Sequence, residues 1–344
     1  MWRGEKMKTI LILGATGAMG RYLVPKLAQD GYVVEGVSLD EAQTTLPQVT
    51  HYRFNAKDNA LLENFLADKK YNAIVDFMLY STSEFTKRYK MLLKSTAHYI
   101  FLSSYRVYAD LAHPIRENSP RLLEASQDDV FLGRQTEEYA LYKACQEDIL
   151  RNSGYANWTI LRPTMVYSTY RYQLVGLEAS TFLYRAQQNK PIILPENAMD
   201  KHAAMTWAGD VANMISGLLF NEKAYKETFT IGSSEQNTWS DVLRYYQNVL
   251  GFECILVSEK EYEKIFHAYK AEWYKHLYDR FYDRVIDNTK LLSVTGLKQS
   301  DFISLEEGLK RELESIRDYQ WAAATDISES MDSYMSMKRG QKRF

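Results

Sequence analysis

The chain has 344 residues, 46% of them hydrophobic and 25% charged, with a net charge of −2. That is the profile of a soluble globular protein with more chain than one compact core needs. So balanced a charge offers no general attraction to nucleic acid or an anionic membrane, and no apolar run approaches the roughly 18 residues of a membrane span. Two cysteines, Cys145 and Cys254, stand far apart and outside any CxxC or Cys/His cluster. They argue against a disulfide framework or a bound metal and for a reducing cytoplasm. The stretch Met1–Lys8 is polar and lacks the apolar region of a secretory signal.

Thr9–Leu13 is a short apolar run ending at Gly14, the pattern of a buried parallel strand. Ala18–Gln29 then carries helical periodicity, with Tyr22, Leu23, Leu27 and Ala28 on one side. Tyr32–Val37, His51–Phe54, Ala73–Met78 and Tyr99–Leu102 read as further strands, with helices over Asn59–Lys69 and Glu84–Ser95 between them. A long helix over Thr136–Arg151 precedes another strand at Trp158–Leu161. Alternation of this kind predicts βαβ units and a doubly wound, Rossmann-like parallel sheet.

After Pro163 the rhythm changes. Helices are expected over Ser180–Gln188, Asp210–Phe220 and Trp239–Leu250, and a returning strand over Glu227–Ile231. Glu259–Val285 reads as one tyrosine-rich helix, with Tyr262, Phe266, Tyr269, Trp273, Leu277, Phe281 and Val285 three or four residues apart, as on a buried face. A ligand pocket or dimer contact is the alternative use of these rings. The expected organisation is a nucleotide-binding domain over residues 1–167, completed by about 204–232. A smaller substrate lobe would take 168–203 and 233–320. The end, 321–344, rich in Ser, Met and Asp and closing on a basic run, reads as a loosely ordered tail with no nucleic-acid role.

Gly14-Ala-Thr16-Gly17-Ala18-Met19-Gly20 places glycines in a G-x-x-G-x-x-G pattern at a strand-to-helix junction. A diphosphate bound there meets free N–H groups and the positive end of the helix dipole. Side chains would block its approach, and the last glycine lets helix and strand pack closely. The strand before it and the helix after it raise a common pattern to a dinucleotide-binding turn. The end of the second strand should then read the ribose. Asp40 stands at the usual separation from the turn, while Ser38 occupies the place where the acid often falls. No arginine follows to hold a 2′-phosphate, so NAD is expected, with NADP left open.

Three further segments carry chemistry. Ser103-Ser104 ends the fifth strand, Tyr139-Ala-Leu-Tyr-Lys143 lies on the long helix, and Leu161-Arg-Pro163 ends the next strand. Tyr139 and Lys143, four apart, share a helix face. An ammonium near a phenol favours phenolate, which makes tyrosine a usable general base, and Ser104 would steady the same substrate oxygen. Each piece alone is common; together, in order, behind a nucleotide turn, they are not.

With these residues in place the chain resembles the extended short-chain dehydrogenase/reductases, the NAD-dependent epimerase/dehydratase family, from Lys8 to about Glu314. The likeness also uses Val75-Asp-Phe77-Met78, Val107-Tyr108, Trp207-Ala-Gly-Asp210, Thr230-Ile-Gly-Ser233 and Asp287-Asn-Thr-Lys290. It implies Tyr139 as base, Lys143 on the nicotinamide ribose and Ser104 on the substrate hydroxyl, with Phe77, Met78 and Pro163 lining the cofactor. It also implies a nucleotide-sugar substrate and a homodimer. Departures from the family pattern narrow the subclass. Tyr105-Arg106 stands where 4,6-dehydratases carry Asp-Glu, which argues against water expulsion. Asn55 or Asp58 stands where an aspartate usually meets adenine. The arginine that grips the substrate diphosphate is missing, with Lys201 and His202 nearby and Arg171 a candidate replacement. Arg106 either reaches the substrate or makes a surface salt bridge. A looser likeness runs to epimerase-like proteins of polysaccharide assembly. The expected activity is epimerisation through a transient keto-sugar. The alternatives are an NAD(P)H-dependent keto-sugar reductase and a nucleotide-binding scaffold without catalysis.

Overall fold

The computed structural model describes residues 7–41, 45–266, 270–322 and 325–341. In its first unit β1 (Thr9–Leu13) leads into α1 (Gly20–Gln29), β2 (Val33–Ser38), β3 (Val49–Arg53), α2 (Asn59–Leu66), β4 (Ala73–Asp76), α3 (Thr82–Lys94) and β5 (Tyr99–Leu102). Two single-turn helices, α4 (Leu122–Ala125) and α5 (Asp129–Leu132), precede α6 (Tyr139–Arg151) and β6 (Trp158–Pro163). With the strand Glu227–Ile231 these form a seven-stranded sheet in the order Glu227–Ile231, β6, β5, β4, β1, β2, β3, and every pair is parallel.

The continuous apolar runs follow from burial on both faces. Ile10 and Ile12 of β1 pack with Leu23 and Leu27 of α1 and with Val211 and Ile215 of the helix Ala208–Leu218. Leu11 and Leu13 point the other way, toward Leu62, Phe85, Leu92 and Leu150. The strand order reverses between β1 and β4, the switch point at which such sheets bind ligands. Among the described residues no helix is long and apolar enough to cross a membrane.

The first unit comprises the chain up to Val166, Thr206–Ser234 and Ile286–Phe302. The second takes Tyr167–Met205, Glu235–Val285 and the chain from Ile303 on. Ile286–Phe302, expected in the substrate lobe, thus belongs to the first unit. Its hydrogen bonds explain why: the Asp287 backbone N–H donates to Ile115 O at 2.9 Å, and the Asn288 side-chain Nδ2 donates to Gly232 O at 3.0 Å.

Within the second unit Ile192–Pro195 and Cys254–Val257 form a parallel pair. The expected loose tail is corrected to a helix, Thr325–Gln341, which buries Met331 and Tyr334. Arg185 anchors it by donating to the Ser328 carbonyl at 2.8 Å and pairing with Asp332 at 3.0 Å; Lys190 reaches Asp332 at 2.7 Å. The single tyrosine-rich helix is corrected too. It divides into Glu259–Ile265, Lys270–Lys275 and a wide turn at His276–Arg280, where Tyr278 leaves helical geometry. Tyr262 and Phe266 are buried, whereas Trp273, Leu277, Phe281 and Val285 are half-buried, and Tyr269 lies outside the described residues. Rings of Tyr262, Phe266, Trp273 and Phe281 surround the buried His276 imidazole at centroid distances of 4.7–5.8 Å.

Candidate active site

The glycine turn is built to keep side chains out. Gly14 sits at φ +84°, a left-handed conformation that disfavours any Cβ, and its N–H donates to Val37 O at 2.9 Å. A Cβ on Gly20, the first residue of α1, would fall 2.5 Å from both Gly14 O and Ala15 O. The helix therefore starts against the turn because residue 20 has no side chain. Met19 caps α1 without any side-chain hydrogen bond, so the cap residue's side chain takes up none of the N–H groups of this positive helix end. Together with Thr16, Gly17 and Ala18 this makes a cradle into which a dinucleotide diphosphate fits.

Beyond β2, Asp40 is exposed and its carboxylate accepts from Thr16 Oγ1 at 3.3 Å, which brings the expected ribose acid back to the turn. Ser38 is buried, and its hydroxyl lies 3.0 Å from Asp40 O and 2.6 Å from His51 Nε2. Of the two candidates for the adenine contact, Asp58 is occupied as the N-cap of α2, accepting from the Ala60 and Leu61 N–H groups. Asn55 is exposed at the end of β3, with its Oδ1 on the Lys57 N–H. Phe77 and Met78 follow β4 and lie against Gly14: a Cβ there would be 3.3 Å from Phe77 Cβ and 3.6 Å from Met78 Sδ.

Ser104 follows β5, and its Oγ accepts from the Arg106 N–H at 3.2 Å, capping the short turn Tyr105–Val107. This bond uses an oxygen lone pair and not the hydroxyl proton. Tyr139 opens α6, half-buried, edge-on to Tyr142 at 5.4 Å. The Arg106 guanidinium lies 5.2 Å over the Tyr139 ring and pairs with Glu138 at 3.1 Å. Arg106 thus touches both Ser104 and Tyr139. Lys143, one turn on, is buried, with Nζ donating to Leu102 O at 2.7 Å and lying 4.9 Å over Phe101. Burial pulls its ammonium down to about 8, against the opposing pull of Asp76 and Glu147. Pro163 closes β6, buried and in register with Ile231.

The sequence of residues 10–232 matches the model of the NAD dependent epimerase/dehydratase family. The chain belongs to that family. Solved structures agree on the fold. WbmH of Bordetella bronchiseptica, in complex with NAD+, superposes with a TM-score of 0.68 at 14% identity, covering 91% of this chain and 100% of its own. UDP-glucose 4-epimerase of Thermotoga maritima, with UDP-glucose, gives 0.64 at 17% identity over 90% and 99%. The dTDP-glucose 4,6-dehydratase of Bacillus anthracis, in complex with NAD, gives 0.64 at 15% identity over 92% and 98%. No curated protein matches the sequence.

Behind this family member's Ser104, Tyr139 and Lys143 lies a buried charge network that the sequence reading did not assign. Glu147 accepts from Ser103 Oγ at 2.6 Å, from Arg162 Nε at 2.8 Å and Nη2 at 2.6 Å, and from Arg121 at 3.1 Å. Burial pushes its carboxyl up, yet Arg162, Ser103 and Arg151 outweigh that and leave it below its usual value. The signal was available: Tyr139, Lys143 and Glu147 repeat at four-residue spacing on one helix face. Asp76, also buried, accepts from Met78 N–H at 3.1 Å, Tyr80 at 3.2 Å and Tyr99 at 2.8 Å. Burial raises its carboxyl against these donors. Arg171 and His202 belong to the second unit. Arg171 is exposed, its backbone N–H on Ser168 O at 2.8 Å. His202 holds Asp283 through Nδ1 at 2.6 Å.

Proposed function

We propose that this protein is an NAD-dependent epimerase acting on a nucleotide-activated sugar through a transient keto intermediate. The observation that carries the reading is the set Ser104, Tyr139 and Lys143 at the carboxyl edge of the sheet, in the same unit as a glycine cradle for a dinucleotide. Bound NAD supplies a reversible two-electron acceptor at the sugar carbon. Gly14, Gly17 and Gly20 leave room for its diphosphate, and Asp40 offers a carboxylate to its ribose. Tyr139 Oη takes the proton of the reacting hydroxyl and returns it after the keto-sugar has turned. Ser104 donates to the same substrate oxygen, since its cap bond leaves the hydroxyl proton to use. Lys143, buried beside Asp76 and Glu147, supplies the positive charge that favours the Tyr139 phenolate. Arg106, over the Tyr139 ring and bound to Glu138, orients that ring rather than gripping substrate.

A nucleotide-sugar substrate draws support from the Thermotoga maritima enzyme, which was solved with UDP-glucose. Tyr105-Arg106 at the dehydratase acid positions favours epimerisation over water loss. The test is to incubate the purified protein with UDP- and dTDP-hexoses without added cofactor and follow interconversion by NMR. Expected is catalytic turnover of one such sugar, abolished in Tyr139→Phe while NAD binding persists. No turnover until NADPH is added, and then one NADPH consumed per sugar, would overturn the reading in favour of a reductase.

A further inference from the structure

His51 lies outside every motif of the dinucleotide site, yet it touches the residue that the site's ribose end is built on. It stands on β3 in register with Gly36 of β2. A Cβ on Gly36 would lie 2.8 Å from Ala15 Cβ and 3.3 Å from His51 Cδ2. The glycine therefore opens the space in which the imidazole lies beside the nucleotide turn. From there His51 Nε2 reaches Ser38 Oγ at 2.6 Å.

The proton inventory fixes the direction of this contact. Ser38 has one hydroxyl proton and two neighbours, Asp40 O at 3.0 Å and His51 Nε2 at 2.6 Å. A carbonyl oxygen can only accept, so both contacts are hydrogen bonds only if Ser38 donates to Asp40 O and His51 Nε2–H donates to Ser38 Oγ. The imidazole then carries its proton on Nε2. With its one proton committed to Asp40 O and 8% of its surface exposed, Ser38 has no proton left to donate to a ribose and serves the site through Asp40. Asp40 is exposed, its main chain fixed by Ser38 and its carboxylate returned to Thr16 at 3.3 Å.

We infer that His51 and Ser38 are positioning residues that hold Asp40 on the 2′-hydroxyl of the cofactor's adenosine ribose, through the chain His51, Ser38, Asp40, Thr16. The inference rests on the NAD reading above and adds to it a residue that no dinucleotide motif includes. It also separates two candidates that the sequence left level, giving Asp40 the ribose and Ser38 the support.

Calorimetric titration with ADP-ribose tests it, alongside the analogue lacking the adenosine 2′-hydroxyl. Wild type should bind ADP-ribose more tightly than the deoxy analogue. His51→Ala and Ser38→Ala should each weaken ADP-ribose binding about five- to tenfold, the worth of one well-made hydrogen bond. The double variant should be no worse than either single one, because both break one chain. His51→Gln, which can present an N–H at nearly the same place, should recover most of the loss. The decisive readout is the preference for the 2′-hydroxyl, which should vanish in His51→Ala; a general loosening of the fold would weaken both ligands alike and keep it. Retention of that preference in His51→Ala, or additive losses in the double variant, would overturn the inference while leaving the NAD reading intact. Failure of wild type to bind ADP-ribose and NAD would overturn both.

Discussion

Replacing Gly20 with alanine tests the nucleotide cradle at its tightest point. The added methyl would sit 2.5 Å from the carbonyl oxygens of Gly14 and Ala15, against 3.4 Å at the near end of ordinary contact. Both obstacles are backbone, so neither can swing aside. Either α1 slides away from the turn or the turn opens, and both move the N–H groups that face a diphosphate. Overpacking of this kind costs about 1–3 kcal/mol. If that strain falls on the bound geometry, it corresponds to roughly ten- to hundredfold weaker NAD binding. Two variants calibrate the measurement. At Gly17 an added Cβ would be 3.3 Å from Gly14 O, so the fold needs only a slight adjustment and stability should hardly fall; a loss of NAD binding there reports the methyl standing in the diphosphate's space. At Gly31, φ is +86° but no atom lies within 4 Å, so alanine there should lower stability by about 1 kcal/mol and leave NAD binding unchanged. Titration calorimetry with NAD and urea unfolding of all three variants separate the terms. A Gly20→Ala protein that binds NAD like wild type would refute the cradle.

Glu147→Gln should destabilise the first unit by about 3 kcal/mol or more in urea unfolding, because Arg162 would keep a buried charge with no carboxylate opposite. The Glu147 carboxyl is held below its unfolded value, so its contribution is present above that value and is lost as pH falls through the folded one. Wild-type stability should thus fall in that acid range more steeply than that of Glu147→Gln. Catalysis should show a basic limb near pH 8, where Lys143 loses the charge that supports the Tyr139 phenolate; a pH–rate profile flat through 9 would contradict that role. In the second unit, Met331→Asp puts a charge where a fully buried methionine sits and should cost about 3 kcal/mol, read as early proteolysis and a lower urea midpoint.

Most of the first unit was legible because its central strands β1, β4, β5 and β6 are buried on both faces and end at turns. Thr9–Leu13 and Glu227–Ile231 were readable to the residue. Tyr139 and Lys143 could be placed together from their spacing, since a helix converts a separation of four into a shared face. What stayed hidden was set by tertiary partners. His51 looks like any strand residue until Gly36 beside it is seen to make room. Asp58 and Asn55 are equal on paper, and only the start of α2 shows that Asp58 is spent as its cap. The helix Thr325–Gln341 reads as a polar tail because few of its side chains are apolar. Two of the polar ones, Ser328 and Asp332, are satisfied by Arg185, more than a hundred residues earlier. The tyrosine-rich stretch misled in the opposite sense: its even spacing suggests one long helix, and Tyr278 breaks it.

The division of the chain also constrains how the protein comes into being. The first unit closes only with Ile286–Phe302, and the second draws on three separate stretches, the last beginning at Ile303. A ribosome releasing the chain from its N-terminus therefore cannot deliver one finished unit and then the other. β1 to β6 can assemble early, but their sheet waits for the edge strand Glu227–Ile231, and the second unit waits for its final helix. For most of synthesis the nascent chain carries an uncovered sheet edge. Chaperone dependence and growth-temperature sensitivity should accordingly follow mutations in these late segments more closely than mutations of equal cost in the early strands.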